Sequence, residues 1–174
     1  MPLHRQGSMH KIISVTEPDH IHITVDLAKK IWHDHFTPII GQAQVDYMLD
    51  TFQSMDAIAS QISSGHEYYL LSFDSTYVGY LAIHADESND LMTISKIYID
   101  SSERGSGHGT HLLTFVKNTC LQRKISKIRL VVNQHNETTI QWYQRKGFII
   151  AGEAKKNIGS GFFMDDFIME MTIT

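Results

Sequence analysis

The stretch Ile97-Tyr98-Ile99-Asp100-Ser101-Ser102-Glu103-Arg104-Gly105-Ser106-Gly107-His108-Gly109-Thr110 passes from a strand pattern through a glycine-rich loop into a helix. Glycine in such a loop lets successive backbone N–H groups point inward and lets a ligand approach the main chain closely. The first turn of the following helix adds unpaired donors and the positive end of the helix dipole. Pyrophosphate suits this geometry; a glycine-rich turn with no ligand is the competing reading. Arg104 either adds a charge-assisted contact or holds the loop from outside. Two nucleotide motifs fail here. A P-loop needs lysine followed by serine or threonine after its last glycine, but Thr110-His111 follows Gly109. A dinucleotide fingerprint would need glycine where Thr110 or Leu112 stands.

Upstream of the loop, Leu91 to Asp100 reads as a strand whose apolar parity changes between Met92/Ile94 and Ile97/Ile99. Either a β-bulge or burial on both faces produces that pattern. Tyr68 to Phe73 and Tyr77 to His84 form a hairpin turning at Asp74-Ser75. Before it, the spacing predicts a strand over Ile12 to Val15 and a break at Pro18-Asp19. A helix through Ile21, Leu27, Ile31 and His35 follows, with Pro38 and Gly41 punctuating its end. Next comes one continuous helix carrying Val45, Met48, Leu49, Phe52, Met55, Ile58 and Ile62 on one face. Downstream lie a helix with Leu112, Leu113, Val116 and Cys120, and a strand over Lys127 to Asn133. A helix N-capped by Asn136 and ended by Gly147 precedes two last strands, Ile149 to Ala151 and Phe162 to Ile173. The order β-α-α-β-β-β-α-β-α-β-β makes a mixed α/β domain over 9–174. Residues 1–8, with Gly7-Ser8 before a second start-like Met9, read as a cloning remnant.

Composition narrows the function. The 174 residues are 42% hydrophobic and 20% charged with a net charge of -4, ordinary for a globular protein and unfavourable for a general nucleic-acid binder. One cysteine, Cys120, allows no intramolecular disulfide, so a cytoplasmic setting is expected. Its helical pattern reads as a buried apolar side chain rather than a nucleophile. No apolar run reaches the roughly 18 residues of a membrane span. His20/His22 and His33/His35 are spaced i, i+2, which face apart on a helix, and no His-Glu-x-x-His occurs, so no metal is expected.

The pattern left for the loop, Arg-x-x-Gly-x-Gly between strand and helix, resembles the coenzyme A-binding loop of the GNAT N-acetyltransferases. Leu130-Val131-Val132-Asn133-Gln134-His135-Asn136, with Tyr143 and Gly147-Phe148 after it, resembles the family's other signature. The resemblance spans nearly the whole chain from Met9. It implies the GNAT fold, a mixed central sheet with flanking helices and a splayed, bulged central strand that admits the pantetheine arm. Acetyl-CoA is then the cosubstrate, without a metal. The backbones of Ile97, Tyr98 and Ile99 would pair with the pantetheine amides, and the Ile99 N–H would stabilise the oxyanion. Arg104, Gly105, Ser106, Gly107, His108, Gly109 and Thr110 would hold the pyrophosphate, Asn136 would bond the pantetheine, and Tyr143 would protonate the departing thiolate.

The segment Gln44 to Leu49 and the tail Ile158 to Phe167 resemble a bacterial subgroup that includes polyamine acetyltransferases. A small amine or polyamine is the first expected acceptor. A protein N-terminus or lysine is the alternative, and a non-catalytic acyl-CoA-binding regulatory module a further one. Glu67, Glu103, Glu137, Asp165 and Asp166 are carboxylates, and the sequence fixes none as the base; of Asp165 and Asp166 only one can face inward on a strand. Paired subunits are common in the family, which allows a homodimer.

Overall fold

The computed structural model describes residues 9–103 and 105–173; Arg104 and the expected remnant at 1–8 lie outside the described residues. Among the described residues seven strands form one sheet in the order β1-β2-β3-β4-β5-β7-β6: β1 (His10–Ser14), β2 (Glu67–Phe73), β3 (Thr76–Asp86), β4 (Leu91–Ile99), β5 (Lys127–Asn133), β6 (Ile149–Gly159) and β7 (Phe162–Thr172). Every neighbouring pair is antiparallel except β4 and β5. On one face pack α1 (Pro18–Ile40), α2 (Gln42–Phe52) and α3 (Met55–Ser63); on the other pack α4 (His108–Arg123) and α5 (Glu137–Arg145). Each face has its own apolar core. One joins Ile31, Val45, Ile58 and Leu70; the other joins Leu112, Val116, Ile128 and Phe148.

The Asp74-Ser75 turn forms as expected, with both residues at positive φ, the conformation a two-residue hairpin demands. Gly147, at φ +105°, follows α5 and lets the Phe148 N–H reach back to the Tyr143 carbonyl at 3.0 Å, which drops Phe148 into the core.

Three expectations need correction. Pro18 opens α1 rather than breaking the chain, since its fixed φ suits the first helical turn. Pro38 lies inside α1, one turn before its end, where few later residues depend on the lost hydrogen bond. The single helix expected over Val45 to Ile62 is two. Gln53 leaves the helical path, and Ser54 caps α3 by accepting the Ala57 N–H at 3.2 Å. Burial overrides periodicity at this point: the Gln53 side chain is drawn inward to accept the Tyr80 hydroxyl, and Tyr80 in turn accepts the Trp32 Nε1–H at 3.2 Å.

The parity change in β4 is a bulge. Ala82 faces Lys96 but Ile83 faces Ile94, so Ser95 is the extra residue, and its hydroxyl donates to the Ala82 carbonyl at 3.1 Å. One extra residue returns Ile97 and Ile99 to the face of Met92 and Ile94, and turns Lys96 and Tyr98 toward the helices α1–α3. The bulge also ends pairing with β5, which runs only from Leu91/Lys127 to Ile94/Leu130. Beyond it the two parallel strands part.

Candidate active site

The parted strands open a cavity of about 490 Å³ that passes through the sheet. Its walls include Ile94 to Ile99 of β4, Leu130 to Asn133 of β5, and the N-terminal turn of α4. Backbone direction alternates along a strand, and the Asp100 N–H donates to the Val78 carbonyl of β3 at 2.8 Å. The amides of Ile99 and Ile97 therefore face the cavity, while that of Tyr98 faces β3. This corrects the expectation of three cofactor-facing backbones; Tyr98 lines the cavity by its ring. A buried N–H left unpaired costs about 1–3 kcal/mol, so this edge is made for an extended partner with carbonyls of its own.

At one mouth, Gly107 takes φ +76° and leads into α4. The His111 N–H is satisfied by the Gly107 carbonyl at 3.0 Å, and the amides of His108, Gly109 and Thr110 stand ahead of it as the helix's unpaired first turn. Gly105, Gly107, His108, Gly109 and Thr110 all line the cavity. Ser106 does not. A Cβ on Gly105 or Gly107 would point into open space, whereas one on Gly109 would meet the Trp142 ring at 3.1 Å. Gly109 thus serves helix packing, a purpose the motif does not reveal. The ring of His108 also departs from expectation: it is buried, with Nδ1 2.8 Å from His10 Nε2, so its main chain is what it can offer a phosphate. Asp100 fixes the loop's start. Its burial alone would raise its pKa, but Lys30 at 2.6 Å and the Ser102 N–H at 3.2 Å outweigh that and hold it down.

Tyr143 and Trp142 of α5 border the same cavity, and burial pushes the Tyr143 phenol up, so it keeps its proton at neutral pH. Asn136 stands at the N-cap position but makes no capping bond; its Oδ1 lies 3.2 Å from His35 Nε2. The motif suggests a cap, and His35, which the sequence places only on the helix face, lines the cavity from α1.

The other mouth is aromatic and acidic. Trp32 and Phe36 of α1 pack against the Tyr98 ring at 5.3 and 5.9 Å between centroids, with Met48 and Met164 nearby. Asp166 of β7 reaches the cavity and is 5% exposed, with Oδ1 unpartnered among the described residues. Burial, with Asp165 adding, raises its carboxyl to about 6. Below this mouth Lys96 bonds the Gln61 side chain at 2.9 Å, the Phe52 carbonyl at 3.2 Å and the Tyr68 hydroxyl; burial lowers its pKa to about 7. Sequence spacing gave no signal for Lys96. Among the described residues no group of three or more His, Cys, Asp or Glu side chains is arranged to hold a metal ion. Nor is any of their helices long and apolar enough to cross a membrane.

A bulged strand parted from its parallel neighbour beside a helix N-terminus is the arrangement that the family resembled in sequence implies for an acyltransferase. Residues 37–166 match the model of the Acetyltransferase (GNAT) domain, so the chain belongs to the GNAT family and is an N-acetyltransferase. It is 24% identical over 144 residues to an uncharacterized N-acetyltransferase in the pepI 3′ region of Lactobacillus delbrueckii subsp. lactis, covering 79% of this chain and 83% of that one. Among solved structures, the PaiA N-acetyltransferase of Thermoplasma acidophilum in complex with coenzyme A superposes with a TM-score of 0.76 at 17% identity, covering 94% of this chain and 99% of that one. A chimera of the spermidine N-acetyltransferase SpeG from Vibrio cholerae and hSSAT superposes with a TM-score of 0.70 at 13% identity, covering 94% and 95%. These two share the fold.

Proposed function

We propose that this N-acetyltransferase moves the acetyl group of acetyl-CoA directly onto a primary amine, a small amine or polyamine first among acceptors, without an acyl-enzyme. The observation that carries the reading is the through-sheet cavity, with main-chain donors at one mouth and aromatic rings beside a buried carboxylate at the other. Aromatic faces and a carboxylate together favour a cationic acceptor. Cys120 is buried on the core face of α4, outside the cavity wall, and burial raises its thiol to about 11, which speaks against an acyl-cysteine.

In this reading the first-turn amides of α4 and the glycine loop, with Arg104, hold the pyrophosphate. The amides of Ile97 and Ile99 bond the pantetheine and the thioester carbonyl, and Ile99 stabilises the oxyanion that forms as the amine attacks. Asn136 bonds the pantetheine region. Tyr143 donates its proton to the departing thiolate.

The test is release of free thiol from acetyl-CoA with a panel of diamines, polyamines, monoamines and short peptides. Thiol release with small amines but not peptides is the expected result. Release with peptides alone would favour a protein acceptor, and tight coenzyme A binding with no release would favour a regulatory module.

A further inference from the structure

We propose that Asp166 is the proton acceptor of the reaction, binding the ammonium form of the acceptor and taking the first proton from its nitrogen. The inference rests on the acetyl-transfer reading and adds the base that reading lacks.

Register fixes where Asp166 points. Val132 pairs with Phe167, and Leu130 with Met169, on the face under α4 and α5. Asn133 pairs with Asp166, so both turn to the opposite face, toward α1–α3, at the level where β4 has already left β5. The carboxylate therefore stands at the acceptor mouth, across the gap from Tyr143. Its main-chain carbonyl takes the Gln134 side-chain amide at 3.4 Å, yet Oδ1 has no partner among the described residues. Burying a carboxylate without a donor is costly, so a fold that keeps one beside a cavity offers a place for a cation.

The other carboxylates are occupied or misplaced. Glu67 is bidentate with Arg123 at 2.7 Å. Glu103 sits at the coenzyme mouth, 3.8 Å from His108 Nε2. Glu137 is exposed, and Asp165 projects from the opposite face of β7. Titratable groups facing the acceptor mouth with Asp166 are His35 of α1, Lys96 and Tyr98 of β4, and Tyr143 of α5. Lys96 has its three bonds to Phe52, Gln61 and Tyr68 and pairs with no carboxylate among the described residues. Glu103, His108 and Arg145 line the rest of the cavity from the loop, α4 and α5.

The protons balance. Asp166 takes one proton from the ammonium, and the freed lone pair attacks the thioester carbon. The tetrahedral species carries a second nitrogen proton. As the C–S bond breaks, the thiolate receives the Tyr143 proton and the phenolate is restored by that second proton. Asp166 returns the first to solvent, giving amide, thiol and one H⁺. A carboxyl raised to about 6 is still ionised at neutral pH, yet is a better base than a solvated carboxylate.

The experiment compares pH profiles of kcat/KM for the wild type, Asp166→Asn and Asp166→Glu, with coenzyme A affinity measured alongside. The wild type is expected to lose activity as pH falls through about 6. Asp166→Asn should lose about 10²–10³-fold in kcat at pH 7. It should also lack that acid limb and gain about tenfold per pH unit toward the amine's own pKa. Coenzyme A Kd should stay unchanged, and Asp166→Glu should recover part of the rate and the limb. Asp166→Asn that keeps the wild-type rate, keeps the limb, or changes only KM overturns the proposal, as does a limb that vanishes with His35→Gln instead. A wild type that releases no thiol with any amine refutes acetyl transfer itself; a wild type that turns over beside an unaffected Asp166→Asn refutes only the base. Asn matches Asp in shape and relieves an unpaired charge, so the variant is expected to fold, with its thermal midpoint as the check.

Discussion

The coenzyme mouth of the cavity is built from one run of chain, Gly105 to Thr110, and works through its main chain; the acceptor mouth gathers Trp32 and Phe36 of α1, Met48 of α2, Tyr98 of β4 and Asp166 of β7 and works through side chains. In the proposed reading the first recognises a group common to every acyl-coenzyme A, which backbone amides at a helix start do well. The second, in the same reading, distinguishes one acceptor from another, which takes side-chain shape, charge and aromatic area. A local motif can therefore announce the donor while the acceptor depends on elements more than a hundred residues apart.

That division is open to attack by substitution. The largest effect should come from Tyr143→Phe, which removes the proton proposed for the thiolate while leaving the ring in the core. Turnover is expected to fall by about 10²-fold or more, with coenzyme A Kd unchanged in a direct titration. Unaltered turnover would strip Tyr143 of the acid role.

Next is Gly107→Val. The space beside Gly107 is open, but φ +76° is costly for a β-branched residue, and its methyls would enter the volume assigned to phosphate. Coenzyme A Kd should rise by about 10–100-fold. Full retention of affinity in the calorimeter would mean that the loop does not hold the pyrophosphate.

A smaller effect tests the acceptor mouth through stability. The folded Asp166 carboxyl is raised to about 6 from an ordinary value near 3.8, so the native state binds the extra proton between these values and loses stability as pH rises through the window. Asp166→Asn should then be more stable than the wild type by about 1–2 kcal/mol above pH 6, allowing for screening by water in the cavity. The gain should disappear below about pH 4, as urea titrations at the two pH values would show. An equal gain at both would mean the carboxyl titrates normally.

Smallest should be Tyr47→Phe. The Tyr47 hydroxyl donates to the Ile158 carbonyl at 2.6 Å and ties α2 to the β6–β7 hairpin. Its loss should cost about 1 kcal/mol of stability and raise the acceptor KM severalfold, with coenzyme A binding intact. A change in coenzyme A affinity instead would show that the two mouths are coupled.

Several features were legible because their causes are local. Asp74-Ser75 can take positive φ, so it turns the hairpin; the parity of Met92, Ile94, Ile97 and Ile99 required either a bulge or two buried faces, and the bulge at Ser95 is what formed. The split at Gln53-Ser54 was hidden because the apolar face of α2 runs on into α3, although serine followed by Asp56 is a fair start signal. Gly109 looked like part of a phosphate motif, and only the position of Trp142 assigns it to packing. His108 looked like loop chemistry until β1 placed His10 against its ring.

From the sequence alone came the order of elements apart from the split at Gln53-Ser54, the parity change in β4, the glycine loop and the tyrosine ahead of Gly147-Phe148. Each is a short-range preference of backbone or pattern. Tertiary structure decided which amides face the gap, that Asp166 rather than Asp165 turns inward, and that Lys96 and His35 border the cavity. Those outcomes depend on strand register, on where β4 leaves β5 and on which helices cover each face, and a linear pattern carries none of the three.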